Sequence, residues 1–247
     1  MHSILSADTM VCIGKTAVWI KSPSGEVKAD ILVLPGWNFA KEKICKESDF
    51  CDKALAKGYR LILPEMMKSV YASVYFPETR NDYRNYLTLT WVTDTMIPTL
   101  LKEYGIFSGK KNYLHGISTG SRGAALVHLH TGKLFSKVAL LSGDYDQTQM
   151  PNDNLMKNTY GPYSSFRERW ETVDNPTYLS GKWTASLYIA HGMHDDVVPV
   201  SQSQNFATKI EQEHPQCHIV KNFPDNRHDF VFWNGETDPI LAFFEAD

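Results

Sequence analysis

The chain has 247 residues, 43% of them hydrophobic and 21% charged, which is enough apolar material for one large domain and too much for a disordered chain. Lys and Arg number 25 against 28 Asp and Glu, a formal net charge of −3, so nothing electrostatic points to nucleic acid or to an anionic membrane. No apolar run approaches the roughly 20 residues that span a bilayer.

In chain order, residues 1–8 carry neither a basic start nor a long apolar run and do not read as a signal peptide, which leans the expected location to the cytoplasm. Residues 16–20 (Thr-Ala-Val-Trp-Ile) read as a strand that Pro23-Ser24-Gly25 turns into a second, 29–34, ending at Pro35-Gly36. A helix is expected over 41–57 and a buried strand over 60–63. Residues 67–84 are irregular and aromatic, and helical spacing returns over 91–104 with Met96, Leu100 and Leu101 on one face. Then come a strand at 112–115, a helix at 119–130 and a strand at 137–142. The segment 147–182 has no strong period. A strand at 186–190, a helix at 203–213, a strand at 218–220 and a closing helix at 239–245 complete the chain. Continuous apolar strands alternating with amphipathic helices imply a mostly parallel sheet covered on both faces.

Four cysteines are too few for a disulfide framework, and none forms a CxxC pair. Cys45 and Cys51 lie six apart, a spacing that an oxidising compartment allows to pair; free thiols are the simpler expectation.

The sharpest local signal is Gly116-Ile117-Ser118-Thr119-Gly120, set where a strand gives way to a helix. A serine held in a strained turn there is pushed out of the sheet, and only small residues two before and two after it let strand and helix approach so closely. A serine hydroxyl needs a base, and the base needs an orienting acid. Of nine histidines, His228 is the best placed, in the polar loop Asp225-Asn226-Arg227-His228-Asp229 beyond the last strand. The acid belongs to His191-Gly192-Met193-His194-Asp195-Asp196-Val197-Val198-Pro199, where Asp195 and Asp196 both qualify by position; Asp144 and Asp146 offer a second place for it.

The order Ser118…Asp195…His228, with these three motifs, resembles the serine hydrolases of the α/β-hydrolase family over most of the chain. Within that family, Leu134 to Gly143 resembles the esterase D-like branch. The resemblance implies a single α/β-hydrolase domain over 1–247, with a small cap insertion at about 147–182. It makes the fifth residue of the acid loop, Asp195, the catalytic carboxylate. It places oxyanion donors at the amide of Thr119 and in the loop after an early strand, at Trp37 or, next to it, Asn38. The implied reaction is cleavage of a carboxylic ester through an acyl-enzyme, needing neither metal nor organic cofactor. A serine peptidase or amidase and a thioesterase are the alternatives on the same fold; a non-catalytic binding protein is the reading outside catalysis. Serine at 118 disfavours nucleophile variants that use Asp or Cys. The expected partner is a small-molecule ester. Rings of the insertion (Tyr160, Tyr163, Phe166, Trp170, Tyr178) and of 71–86 (Tyr71, Tyr75, Phe76, Tyr83, Tyr86) either line the substrate pocket or pack the insertion down; Arg80 and Arg122 read as solvated, with an acidic substrate group as their alternative partner.

Overall fold

A computed structural model describes residues 7–85, 88–109 and 111–246. Eight strands form one sheet in the order β1-β2-β4-β3-β5-β6-β7-β8. They are β1 (Asp8–Ile13), β2 (Thr16–Lys21), β3 (Ala29–Leu34), β4 (Tyr59–Pro64), β5 (Asn112–Ile117), β6 (Lys137–Leu141), β7 (Ser186–Ala190) and β8 (Ile219–Asn222). The β1–β2 and β2–β4 pairs are antiparallel, and every other pair is parallel.

The expected hairpin between residues 16–20 and 29–34 does not form. β2 pairs instead with β1 and β4. All six residues of β3 are buried, and a strand buried on both faces belongs in the middle of a parallel sheet, between β4 and β5. β1, absent from the sequence reading, is an edge strand whose Asp8, Met10 and Cys12 are not buried. Its short polar-interrupted pattern gives little periodic signal.

Strand side chains alternate between two cores. Leu32, Leu34, Leu114, Val138, Leu140, Leu187 and Ile189 face α3 (Ile97–Tyr104), α4 (Thr119–Thr131) and α8 (Ser201–Glu213). Ile31, Val33, Tyr113, Ile117, Ala139, Leu141 and Tyr188 face α1 (Lys43–Glu47), α2 (Phe50–Ala56), α9 (Phe230–Gly235) and α10 (Thr237–Glu245).

The single helix expected at 41–57 is two. Ser48 is extended and its hydroxyl bonds the Ile44 carbonyl, while Asp49 opens α2 and its N–H donates to Asn234. Ser and Asp compete for backbone groups in this way and interrupt a helix. A disulfide joins Cys45 to Cys51 across the break, correcting the expectation of free thiols; Cys12 and Cys217 are free. The helix at 91–104 also divides, with a π-helical turn at Trp91–Met96 ahead of α3.

Between β6 and β7 lie α5 (Asn154–Tyr160), α6 (Arg167–Thr172) and α7 (Pro176–Leu179); α5 and α6 pack through Met156, Tyr160 and Trp170 onto Val70 and Ala72. Among the described residues, no helix is long and apolar enough to cross a membrane.

Register fixes where chemistry can occur. Leu34 pairs with Gly116 and Gly116 with Leu140; Leu141 pairs with Ala190 and Ala190 with Asn222. The parallel strands therefore end level, and the loops after β3, β5, β6, β7 and β8 converge on one edge.

Candidate active site

Ser118 follows β5 at that edge, with φ 56° and ψ −129°, a conformation that costs a non-glycine residue about 1–3 kcal/mol. The surroundings enforce it. A Cβ on Gly116 would overlap the Gly120 backbone, and one on Gly120 would overlap the carbonyl oxygens of Leu34 and Pro35. The Ser118 N–H donates to the Leu141 carbonyl at 2.8 Å, and the Ser121 N–H donates to the Ser118 carbonyl at 2.8 Å. Ser118 is buried except for 8% of its surface, so its hydroxyl is held and still reachable. Behind it starts α4, thirteen residues long, whose N-terminus carries positive dipole charge.

His228 Nε2 lies 2.9 Å from Ser118 Oγ, and Nδ1 lies 2.6 Å from Asp195 Oδ2. Assigned from this network, Nδ1 carries the proton and donates to the carboxylate, leaving the Nε2 lone pair for the serine hydroxyl. Trp233 stands edge-on to the imidazole at 5.0 Å and anchors its own Nε1 on Ser142 Oγ at 3.1 Å. Asp229 caps α9 by accepting the Phe232 N–H, which fixes the residue next to His228.

The side chain of Asp195 is fully buried. Its Oδ1 accepts the N–H groups of Val197 and Val198 at 2.9 and 2.8 Å. Burial alone would raise its pKa, but hydrogen bonds from His191, His228 and the Val198 N–H outweigh that and hold the carboxyl well below its ordinary range. Gly192 brings the acid loop against the histidine loop: a Cβ there would overlap the Asn226 backbone.

The other acids considered from the sequence do not reach His228. Asp196 is exposed. Asp146 accepts from the Thr148 N–H and hydroxyl and from Asn175. Asp144 pairs at 3.0 Å with Arg122. Burial raises the Asp144 pKa, and Arg122 opposes that rise.

Arg122 is the largest departure from the sequence reading: it is fully buried, not solvated. It donates to Asp144 and Gln147 at 3.0 Å each, to the Tyr160 hydroxyl at 3.2 Å and to the Asp174 carbonyl, joining α4 to the inserted helices. Arg80 is exposed and pairs with Asp82.

The Asn38 N–H donates to the Met67 carbonyl at 2.7 Å, next to a bridge between Phe39 and Met67. That engagement occupies the Asn38 N–H. Thr119 is the first residue of α4, where a helix leaves its N–H groups unbonded.

A pocket of about 240 Å³ opens at the serine, lined by Trp37, Phe39, Ser118, Thr119, Asp144, Met150, Asp153, Leu155, Met156, Val197, Val198 and His228. The insertion supplies Met150, Asp153, Leu155 and Met156. The aromatic groups singled out from the sequence pack elsewhere. Tyr160 and Trp170 are fully buried in the insertion's core, Tyr71 bonds the Pro35 carbonyl, and Tyr178 is exposed; Tyr86 lies outside the described residues.

Residues 95–246 match the model of the prolyl oligopeptidase family. No curated protein sequence matches the chain. Among solved structures, FphF, a fluorophosphonate-binding serine hydrolase of Staphylococcus aureus, superposes with a TM-score of 0.76 at 15% identity, over 98% of this chain and 100% of that one. The S-formylglutathione hydrolase FrmB of S. aureus gives 0.73 at 14%, over 97% and 99% of the two chains. The S-formylglutathione hydrolase of Agrobacterium tumefaciens gives 0.71 at 12%, over 96% and 92%. At these identities the likeness is one of fold, the α/β-hydrolase fold.

Proposed function

Since the chain belongs to the prolyl oligopeptidase family, we propose that it is a serine hydrolase cleaving a carboxylic ester through an acyl-enzyme, with Ser118, His228 and Asp195 as its triad. One observation carries this reading: the unbroken hydrogen-bond chain from Ser118 Oγ through His228 to Asp195 Oδ2, at 2.9 and 2.6 Å, beside a pocket.

The roles follow from the geometry. His228 Nε2 takes the Ser118 proton as Oγ attacks the carbonyl carbon. Asp195 orients the imidazole and stabilises the imidazolium. Charge on the former carbonyl oxygen is met by the Thr119 N–H, on the positive end of α4, and by the Trp37 N–H; each such donor is worth about 2.7–4 kcal/mol. His228 then protonates the departing alcohol, and the same steps with water release the acid.

A pocket of about 240 Å³ suits a small acyl or alcohol group, between the apolar walls of Met150, Leu155, Met156 and Val197. The inserted helices act as a cap that shapes this pocket, and Asp153 on its wall disfavours anionic substrates, whereas the charge of Asp144 is met by Arg122. The Cys45–Cys51 disulfide favours an oxidising compartment over the cytoplasm.

The family's name supports a second reading, cleavage of a peptide or amide bond. Turnover of p-nitrophenyl esters of increasing acyl length, beside aminoacyl p-nitroanilides, separates the two. The expected result is hydrolysis of acetate and butyrate, with kcat/KM falling steeply at octanoate and beyond, and little anilide cleavage. Faster cleavage of the anilides would establish the second reading instead.

A further inference from the structure

The triad accounts for one side of Asp195, and a second histidine occupies the other. His191 directly follows β7, is fully buried, and places Nε2 3.0 Å from Asp195 Oδ2 and 2.9 Å from the Val198 carbonyl oxygen. Its Nδ1 lies 2.7 Å from Ser203 Oγ on α8, and Ser203 is fully buried as well.

The proton positions follow from the partners. Nε2 faces only acceptors, so the N–H of a neutral imidazole sits there and Nδ1 accepts the Ser203 hydroxyl. The amides of Val197 and Val198 bond Oδ1 and His228 Nδ1 bonds Oδ2, while the Nε2–H of His191 bonds the Val198 carbonyl with Oδ2 beside it at 3.0 Å.

We propose that His191, locked in one tautomer by Ser203, is a positioning residue that sets the plane of the Asp195 carboxylate so that Oδ2 meets His228 Nδ1. The proposal rests on the reading of Ser118, Asp195 and His228 as a triad. Asp χ2 is a broad torsion, so two adjacent amides on Oδ1 leave the carboxylate free to swing. The imidazole of His191, tied to the Val198 carbonyl just after β7 with its Nε2 3.0 Å from Oδ2, removes that freedom. Asp195 is the charged group His191 touches, and His228 lies beyond it; the exposed His194–Asp225 pair is further along the same loops.

His191→Leu removes the donor. His191→Gln keeps an N–H near the Nε2 position. Steady-state ester hydrolysis across pH is measured for both, together with the far-downfield proton resonance of the His228–Asp195 hydrogen bond, which does not depend on turnover. His191→Leu is expected to lower kcat about 10–100-fold, as loss of the groups that orient metal-ligating side chains does, with KM little changed. The acid limb of its kcat/KM profile moves to higher pH, because a carboxylate with one donor fewer stabilises the imidazolium more strongly, and the downfield resonance shifts or is lost. His191→Gln recovers most of the kcat and restores limb and resonance. Should His191→Leu fail to fold, Ser203→Ala serves in its place and shows the same changes at smaller size.

A wild-type profile and resonance in His191→Leu, or equal losses in the Leu and Gln variants with no movement of the limb, would overturn the proposal and leave His191 a packing residue. A wild-type protein that shows the resonance but fails to hydrolyse esters or react with a fluorophosphonate would overturn the triad reading and, with it, any catalytic role for His191.

Discussion

At the scale of single residues, the site is set by where the chain tolerates strain. Ser118 occupies a strained positive-φ conformation because Gly116 and Gly120 allow β5, α4 and the loop after β3 to close around it. The meeting of Ser118, His228 and Asp195 was readable from the sequence because each belongs to a motif whose residue types are dictated by local sterics or by loop position. Asp195 was separable from Asp196 only through the family resemblance; in space the difference is burial, since the Asp195 side chain is enclosed and accepts from three donors, and Asp196 is exposed. Arg122 and His191 were not read as site-related. Nothing in a single sequence tells a buried arginine from a solvated one, because both sit equally well at a helical position. The triad reading predicts that Asp195→Asn, which keeps the shape and frees the wrong tautomer of His228, lowers kcat by about 10⁴-fold. Its steady-state kinetics beside wild type check this.

At the scale of elements, α4 ties the sheet to the inserted helices. Eleven of its residues are buried, and Arg122 among them anchors Asp144, Gln147, Tyr160 and Asp174. Removing one partner of a buried ion pair strands the other, so Arg122→Met is expected to cost about 3–5 kcal/mol of stability. The urea midpoint, with m unchanged, measures the loss, and adding Asp144→Asn should return part of it. Periodicity gave the central strands and α4, because their burial on all sides leaves continuous apolar runs. It did not give β1, the pairing of β2 with β4, or the break at Ser48. Those depend on partners far along the chain, such as Leu63 opposite Trp19 and Asn234 bonding Asp49.

For the whole molecule, two tests reach beyond the pocket. The Cys45–Cys51 bridge closes a loop of six residues' separation, which the chain-entropy relation values at about 2 kcal/mol. Melting with and without reductant should differ by about 4–8 °C for a chain of this size. An identical melting temperature would mean that the bridge does not form in the protein as produced. Stability should also depend on acid through Asp195. Its folded-state pKa is lowered, so its contribution is complete above the unfolded carboxylate value of about 3.9 and is lost as pH falls below it. Asp144, raised by burial, acts in the opposite sense, so the difference between wild type and Asp195→Asn isolates the first effect. Urea unfolding from pH 7 down to pH 3 should show a shallower acid loss in Asp195→Asn.

Activation of Ser118 by His228 and Asp195 is probed by reacting the protein with a fluorophosphonate, which needs an activated serine and little substrate recognition, and mapping the modified peptide by mass. The expected result is a single adduct on Ser118, absent in Ser118→Ala and strongly slowed in Asp195→Asn. An unlabelled protein, or an adduct on another serine that persists in Ser118→Ala, would contradict it.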